Sequence, residues 1–195
     1  MDCVFIDESL IELEVHTLKH CQKKGCRYNK APVAKHPLKL LLWGGISFRG
    51  ATPICIFNGK MQSSDFINIL NRNLLPFIRR VFPDTHRLVM DNDPKHNSVL
   101  TQNWLKTNSI FYWPTPAQSP DLNPIELVWH ELKTYFRHKK PQTKIQFINL
   151  IGKFWEEELT PEKCRRYILH IQRVMPHVLL NNGYATDSLL IFCLN

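Results

Sequence analysis

Apolar residues first recur at a period of two along this chain and later at a period of three to four. Val4 to Asp7 reads as a short buried strand, and Leu10 to Val15 alternates apolar and acidic residues as a half-buried strand does. Leu38 to Phe48 is a strongly apolar strand, with Gly44-Gly45 marking a bend or a close backbone approach. Thr52 to Phe57 is a further strand, closed by the turn pair Asn58-Gly59, and together these segments predict antiparallel neighbours. Helical spacing then takes over. Ser63 or Ser64 caps a helix through Phe82, with Phe66, Ile69, Leu70, Leu74, Phe77, Ile78 and Val81 on one side and a bend or break expected at Pro76. Arg87 to Asp91 is a short buried strand, Asn97 to Asn108 a helix, and Ile110 to Trp113 a strand. Trp104, Tyr112 and Trp113 are expected in the core. Pro114 to Pro124 is a proline-rich loop, followed by a helix to about His138 that Pro141 ends. Two more helices are expected at roughly 143–158 and 161–180, the second opened by Thr160-Pro161. Strands first, then helix and strand in alternation, predict one α/β domain with a mixed sheet flanked by helices. Its core would span 3–140, with a helical C-terminal extension over 141–195 and no linker between them.

Length and composition add a few bounds. The 195 residues suffice for one sizeable core, and 44% hydrophobic with 22% charged residues is an ordinary globular balance. The formal net charge of +8 favours a polyanionic partner, nucleic acid above all, although charge alone also fits a basic protein that binds none. No apolar run approaches a bilayer span and the first residues are acidic, so a soluble intracellular chain is expected, without a membrane partner. The six cysteines are scattered, which fits free thiols in a reducing compartment. His16, His20, Cys21, Cys26 and His36 lie loosely in a basic loop, too irregularly spaced for a structural zinc site. Lys23, Lys24 and Arg27 in that loop suit DNA phosphates or simply solvent.

Three carboxylates carry the candidate chemistry. Asp7 and Asp91 each end an apolar strand, where a rigid element holds an acid at the rim of a sheet. Such acids on neighbouring strands can share a hard cation such as Mg²⁺. Glu126 lies in the first turn of the helix after Pro124, near the positive end of the helix dipole. Its plain reading is a capping box, with Asn123 at the N-cap, Pro124 at N1 and Glu126 at N3. Glu126, His130, Lys133 and Arg137 form a stripe beside the buried face Ile125, Trp129, Leu132 and Phe136. Lys133 and Arg137 can follow a DNA backbone or simply face water. Glu8 points the other way from Asp7 and is left out of the site, and Asp93 and Asp121 read as turn residues.

With these segments in place, the chain resembles the mariner and Tc-like transposases. The resemblance rests on Phe5-Ile6-Asp7-Glu8-Ser9, on Leu42-Trp43-Gly44-Gly45-Ile46-Ser47 with Gly50, and on Met90-Asp91-Asn92-Asp93-Pro94-Lys95-His96. It continues through Trp113-Pro114 and Ser119-Pro120-Asp121-Leu122-Asn123-Pro124-Ile125-Glu126 to Trp129. Thirty-four residues separate Asp91 from Glu126, the spacing of the Tc-like branch. The resemblance implies a ribonuclease H-like fold with Asp7, Asp91 and Glu126 as catalytic and metal-binding residues. It implies two Mg²⁺ or Mn²⁺ ions, cleavage of transposon ends by water, and joining to target DNA by a 3′-hydroxyl. Asn92, His96 and His130 become supporting or DNA-contacting residues, and Lys133, Arg137, Lys23, Lys24 and Arg27 become backbone contacts. DNA is then the partner, with no small-molecule substrate, a nuclear location, and a homodimer left open. Family members carry paired helix-turn-helix domains of roughly a hundred residues before the first aspartate. Only six residues precede Asp7, so those domains are expected to be absent. The alternatives are a catalytically silent, domesticated or truncated nucleic-acid-binding remnant, and a ribonuclease H-type hydrolase of RNA–DNA hybrids.

Overall fold

The computed structural model describes residues 2–12, 39–114 and 122–181. Strand β1 spans Cys3–Glu12 as one element rather than two short ones, because Glu8 and Ser9 stay paired opposite Trp43 and Leu42. Its partner β2, Lys39–Ser47, is antiparallel to it. The strand expected over 52–57 shortens to β4, Cys55–Phe57, and an unexpected two-residue strand, β3, Gly50–Ala51, precedes it; the two pair opposite ends of β2. Pro53, with no N–H to give a ladder, lies in the gap. Strands β5, Arg87–Met90, and β6, Tyr112–Pro114, extend the sheet in parallel, giving the order β3-β2-β1-β5-β6 with β4 also on β2.

Period-two alternation sends successive side chains to opposite faces. Val4, Ile6, Trp43, Leu88 and Met90 pack under α1 (Ser63–Ile69), α2 (Leu75–Val81) and α3 (Val99–Thr107). Phe5, Ile11, Leu42, Ile46 and Val89 face the other way, toward α4 (Ile125–Lys139), α5 (Lys144–Lys153) and α6 (Pro161–Leu180). The expected C-terminal extension is therefore packed into the same core as β1, through Phe147, Ile151, Phe154, Trp155, Tyr167 and Ile168. Glu131 of α4 accepts hydrogen bonds from Lys163 and Tyr167 of α6 and ties the two helices together.

Local chemistry sets the helix ends. Gln62, not Ser63 or Ser64, caps α1, with Asp65 bonding back to its N–H. Pro76 does not break the helical run. A widened π turn over Leu70–Leu74 separates α1 from α2 and lets the ring sit in the first turn of α2, where the missing N–H costs little. Ser98 caps α3 and Thr160 caps α6. Lys140 takes a left-handed φ of 47° that ends α4 just before Pro141. Trp113, expected inside, is 55% exposed on edge strand β6, while Trp104 and Tyr112 are packed partly against the core. Among the described residues no helix is long and apolar enough to cross a membrane, and Cys3, Cys55 and Cys164 are free thiols. The basic loop with Lys23, Lys24 and Arg27, the His16–His36 cluster, Asp121 and the stretch 184–195 lie outside the described residues.

Candidate active site

Asp7 lies inside β1 rather than at its end, but the parallel pairing of β1 with β5 stops at Phe5 opposite Val89. Continuing that register by two residues sets Asp7 level with Asp91, which immediately follows β5. Asp7 is an even number of residues from Phe5 and so belongs to the face covered by α4, while Asp91, just past the end of β5, lies at the rim between the two faces, bonded to His96. Helix α4 brings Glu126 to the same place, its carboxyl within hydrogen-bond reach of Asp7. The capping box expected around Glu126 does not form. The helix starts at Ile125, Pro124 occupies the cap without a side-chain bond, and the Glu126 N–H donates to the Asn123 carbonyl at 3.1 Å. The Glu126 carboxyl is thereby free of the cap and turned to Asp7.

Electrostatics mark the cluster as one short of a cation. Burial pushes the Asp7 carboxyl up to about 8, and the charges of Glu126, Glu8 and Asp91 add to the push. Burial also raises Glu126, against the pull of Lys133. Among the described residues no three ligating side chains cage an ion by themselves. Asp7 and Glu126 form the near pair, and Asp91 acts on both through its charge. Such an all-oxygen, open set fits a hard divalent ion that keeps water and substrate phosphate among its ligands. One consequence is testable without substrate. In chelator, at a pH above the point where Asp7 ionises, Asp7→Asn removes a buried like charge and is expected to raise Tm by about 2–4 °C, roughly 1 kcal/mol for a domain of this size. Calorimetry showing a lower Tm would refute the repulsion.

Asp91 differs from its two neighbours. The hydrogen bond from His96 holds its carboxyl below the usual range, with His96 Nδ1 2.7 Å from Asp91 Oδ1. The same imidazole places Nε2 3.3 Å from Glu8 Oε1, and Glu8 Oε2 is 3.1 Å from Lys95 Nζ, which also meets Asp93 at 2.8 Å. Burial pulls His96 down, but its bonds to Asp91 and Glu8 prevail and lift it to about 9. Glu8 does point to the opposite face of β1 from Asp7, as alternation along the strand requires. On that face it holds the histidine that holds Asp91. The segment is fixed from beneath by Thr101 Oγ1 and Ser98 Oγ on the Lys95 carbonyl, at 2.7 and 3.0 Å, and by Gln102 on the His96 carbonyl at 2.9 Å. The signal for Glu8 and Lys95 is in the sequence only as acid and base in two distant motifs. Asn92 is exposed next to Asp91, while His130, Lys133 and Arg137 follow Glu126 along the exposed face of α4.

The fold and this acidic centre together define a class. A family model for the DDE superfamily endonucleases matches residues 2–148, and the chain belongs to that family. Within it the likeness is to Tc-like transposases. The chain is 28% identical over 158 residues to the Tcb1 transposable-element transposase of Caenorhabditis briggsae, covering 74% of this chain and 58% of that protein. It spans less than two-thirds of the length of the curated relatives it matches, 58% and 60% for Tcb1 and for Tc1 of Caenorhabditis elegans. Its fold is that of the ribonuclease H-like Mos1 catalytic domain. The Mos1 mariner paired end complex with Mn superposes with a TM-score of 0.77 at 16% identity, covering 95% of this chain and 57% of that one.

Proposed function

We propose that this chain is the catalytic domain of a Tc-like transposase, cleaving DNA at transposon ends and joining those ends to target DNA. The observation that carries the reading is the gathering of Asp7 on β1, Asp91 just past the neighbouring strand β5 and Glu126 on α4, with Glu126 brought against Asp7 and the Asp91 charge felt by both. Asp7, Asp91 and Glu126 would hold two Mg²⁺ or Mn²⁺ ions, and the Mos1 paired end complexes with Mn and with Mg support that choice of metal. Bound ions of this kind supply positive charge to the attacking and leaving oxygens of a phosphoryl displacement. The protein's own part is positional. Asp7 and Glu126 bring charge together at the rim, His96 fixes the rotation of Asp91, and exposed Lys133 and Arg137 lie where α4 leads away from the acids. Asn92 and His130 border the same rim and suit contacts to the DNA near the cut. The partner is DNA, the paired assembly is a homodimer, and the place of action is the nucleus. The +8 charge supports a polyanionic partner.

Two measurements test this. Supercoiled plasmid should be nicked in Mn²⁺ or Mg²⁺ and left intact in chelator; equal nicking in both would refute the reading. DNA binding, followed by fluorescence anisotropy against salt, should weaken steeply as salt rises. Lys133→Ala and Arg137→Ala should each reduce the slope of log K against log salt by about 1, with little change in sequence preference. An unchanged slope removes that residue from the DNA path.

A further inference from the structure

Asp7 is touched from the α4 side by an indole. Trp129 Nε1 donates to Asp7 Oδ2 at 3.2 Å, and the Trp129 side chain is almost wholly buried. The ring stacks on Trp155, with centroids 5.6 Å apart and planes at 27°. Trp155 comes from the widened π turn Phe154–Glu158, and its own N–H is pinned to the Thr52 carbonyl at 2.7 Å. Beneath Trp155 lies Gly44, which pairs with Asp7 itself across the β1–β2 ladder. A Cβ at position 44 would stand 2.6 Å from Trp155 Cη2 and 2.7 Å from Cζ2, so any larger residue would force that ring to shift.

These contacts close a loop from Gly44 through Trp155 and Trp129 to Asp7. We propose that Trp129, held in place by Trp155 over Gly44, is a positioning residue that fixes the rotation of the Asp7 carboxylate for divalent-ion binding. The inference rests on the reading of Asp7 as a metal ligand. Three features favour it over simple packing. A buried indole needs one acceptor for its N–H, and here that acceptor is a carboxylate at the acidic centre. The bond engages one oxygen of Asp7, so the carboxylate cannot rotate freely toward Glu126. The pinned Trp155 leaves the Trp129 ring no room to swing away, since bulk on its far side is backed by β2. The glycine pair Gly44-Gly45 thus serves the site through a ring stack, and the C-terminal helices serve it through Trp155. Hydrogen-bonded partners of metal ligands usually alter metal affinity by roughly ten- to a hundredfold when removed.

The test is Mn²⁺ binding by isothermal titration calorimetry on chelator-stripped protein, with Tm measured alongside in chelator. Trp129→Phe keeps a ring on Trp155 but removes the donor, and should weaken Mn²⁺ about tenfold while Tm changes little. Gly44→Ala leaves Trp129 and all three carboxylates in place but displaces Trp155, and should weaken Mn²⁺ in the same direction. This second variant carries the test if Trp129→Phe does not fold. Wild-type affinity in a folded Trp129→Phe protein, or in a folded Gly44→Ala protein, overturns the positioning role and leaves the metal site standing. A wild-type chain that takes up no Mn²⁺, with Asp7→Ala indistinguishable from it, overturns the metal reading and the inference together.

Discussion

Asp91→Ala is expected to abolish ion-dependent nicking, a loss on the order of a thousandfold or more, because members of one catalytic unit fail together. Such a loss is about 4 kcal/mol of transition-state stabilisation, far beyond what a surface substitution usually costs. Asp91 is the cleanest of the three acids to remove. It lies just past β5 on an exposed loop, outside both hydrophobic clusters, so its loss leaves the core intact. Its carboxyl is the one held ionised, by His96, whereas burial pushes both Asp7 and Glu126 up, with the Glu126 charge adding to the push on Asp7 and the Asp91 charge to that on Glu126. The variant should fold, keep salt-dependent DNA binding and cut nothing. Asp91→Asn keeps an acceptor for His96 and should be as inactive as the alanine variant, which separates lost charge from a lost hydrogen bond. Nicking by purified Asp91→Ala at the wild-type rate would end the catalytic assignment. Binding without nicking by the wild-type chain as well would leave only the silent, DNA-binding alternative.

What the sequence reveals and what it hides divide along physical lines. Patterns with a strong local period survive translation into structure. The alternation through Val4, Phe5 and Ile6, the apolar face of α4 and the Thr160-Pro161 helix start lie where side-chain spacing puts them. The three acids are visible because each sits next to an apolar strand or a helix start. Interactions between distant segments are not visible. Glu8 and His96 are 88 residues apart, and alternation alone argues Glu8 out of the site when it in fact supports the site from behind. Trp129 reads as one position of an apolar stripe, and nothing local shows that its N–H meets a carboxylate 122 residues earlier. The Glu126 capping box fails for a related reason. Local rules assign that carboxyl to its own helix end, but Asp7 lies within its reach. Pro76 is expected to disrupt a helix, and a π turn absorbs it because the apolar face on either side still has to pack on the sheet. The edge position of Trp113 depends on strand order, which a single strand does not encode.

His96→Ala should cost about 3 kcal/mol of stability, a Tm drop of roughly 6–12 °C, and should also cost most of the nicking activity. His96 is 1% exposed, packs against Phe66 with ring centroids 4.3 Å apart, and faces an acceptor at each nitrogen. Both nitrogens can donate only in the imidazolium form, so the residue works as a buried cation between Glu8 and Asp91. Alanine leaves a void beside Phe66 and strips Glu8 of one of its two partners, with Lys95 remaining. Leaving a buried charge underpaired is what makes the removal of one member of such a group expensive. A double-mutant cycle separates support from mere packing. In a Glu8→Gln background the imidazolium has already lost one counter-charge, so His96→Ala should cost less there by about 0.5–3 kcal/mol. If the two substitutions instead add without coupling, Glu8 does not act through His96, and the path from the back of β1 to Asp91 is broken. Activity supplies the second readout. Glu8 lies on the opposite face of β1 from Asp7 and meets Asp91 through the imidazole, so Glu8→Gln should slow nicking chiefly through the ring, and in the His96→Ala background it should slow nicking little further.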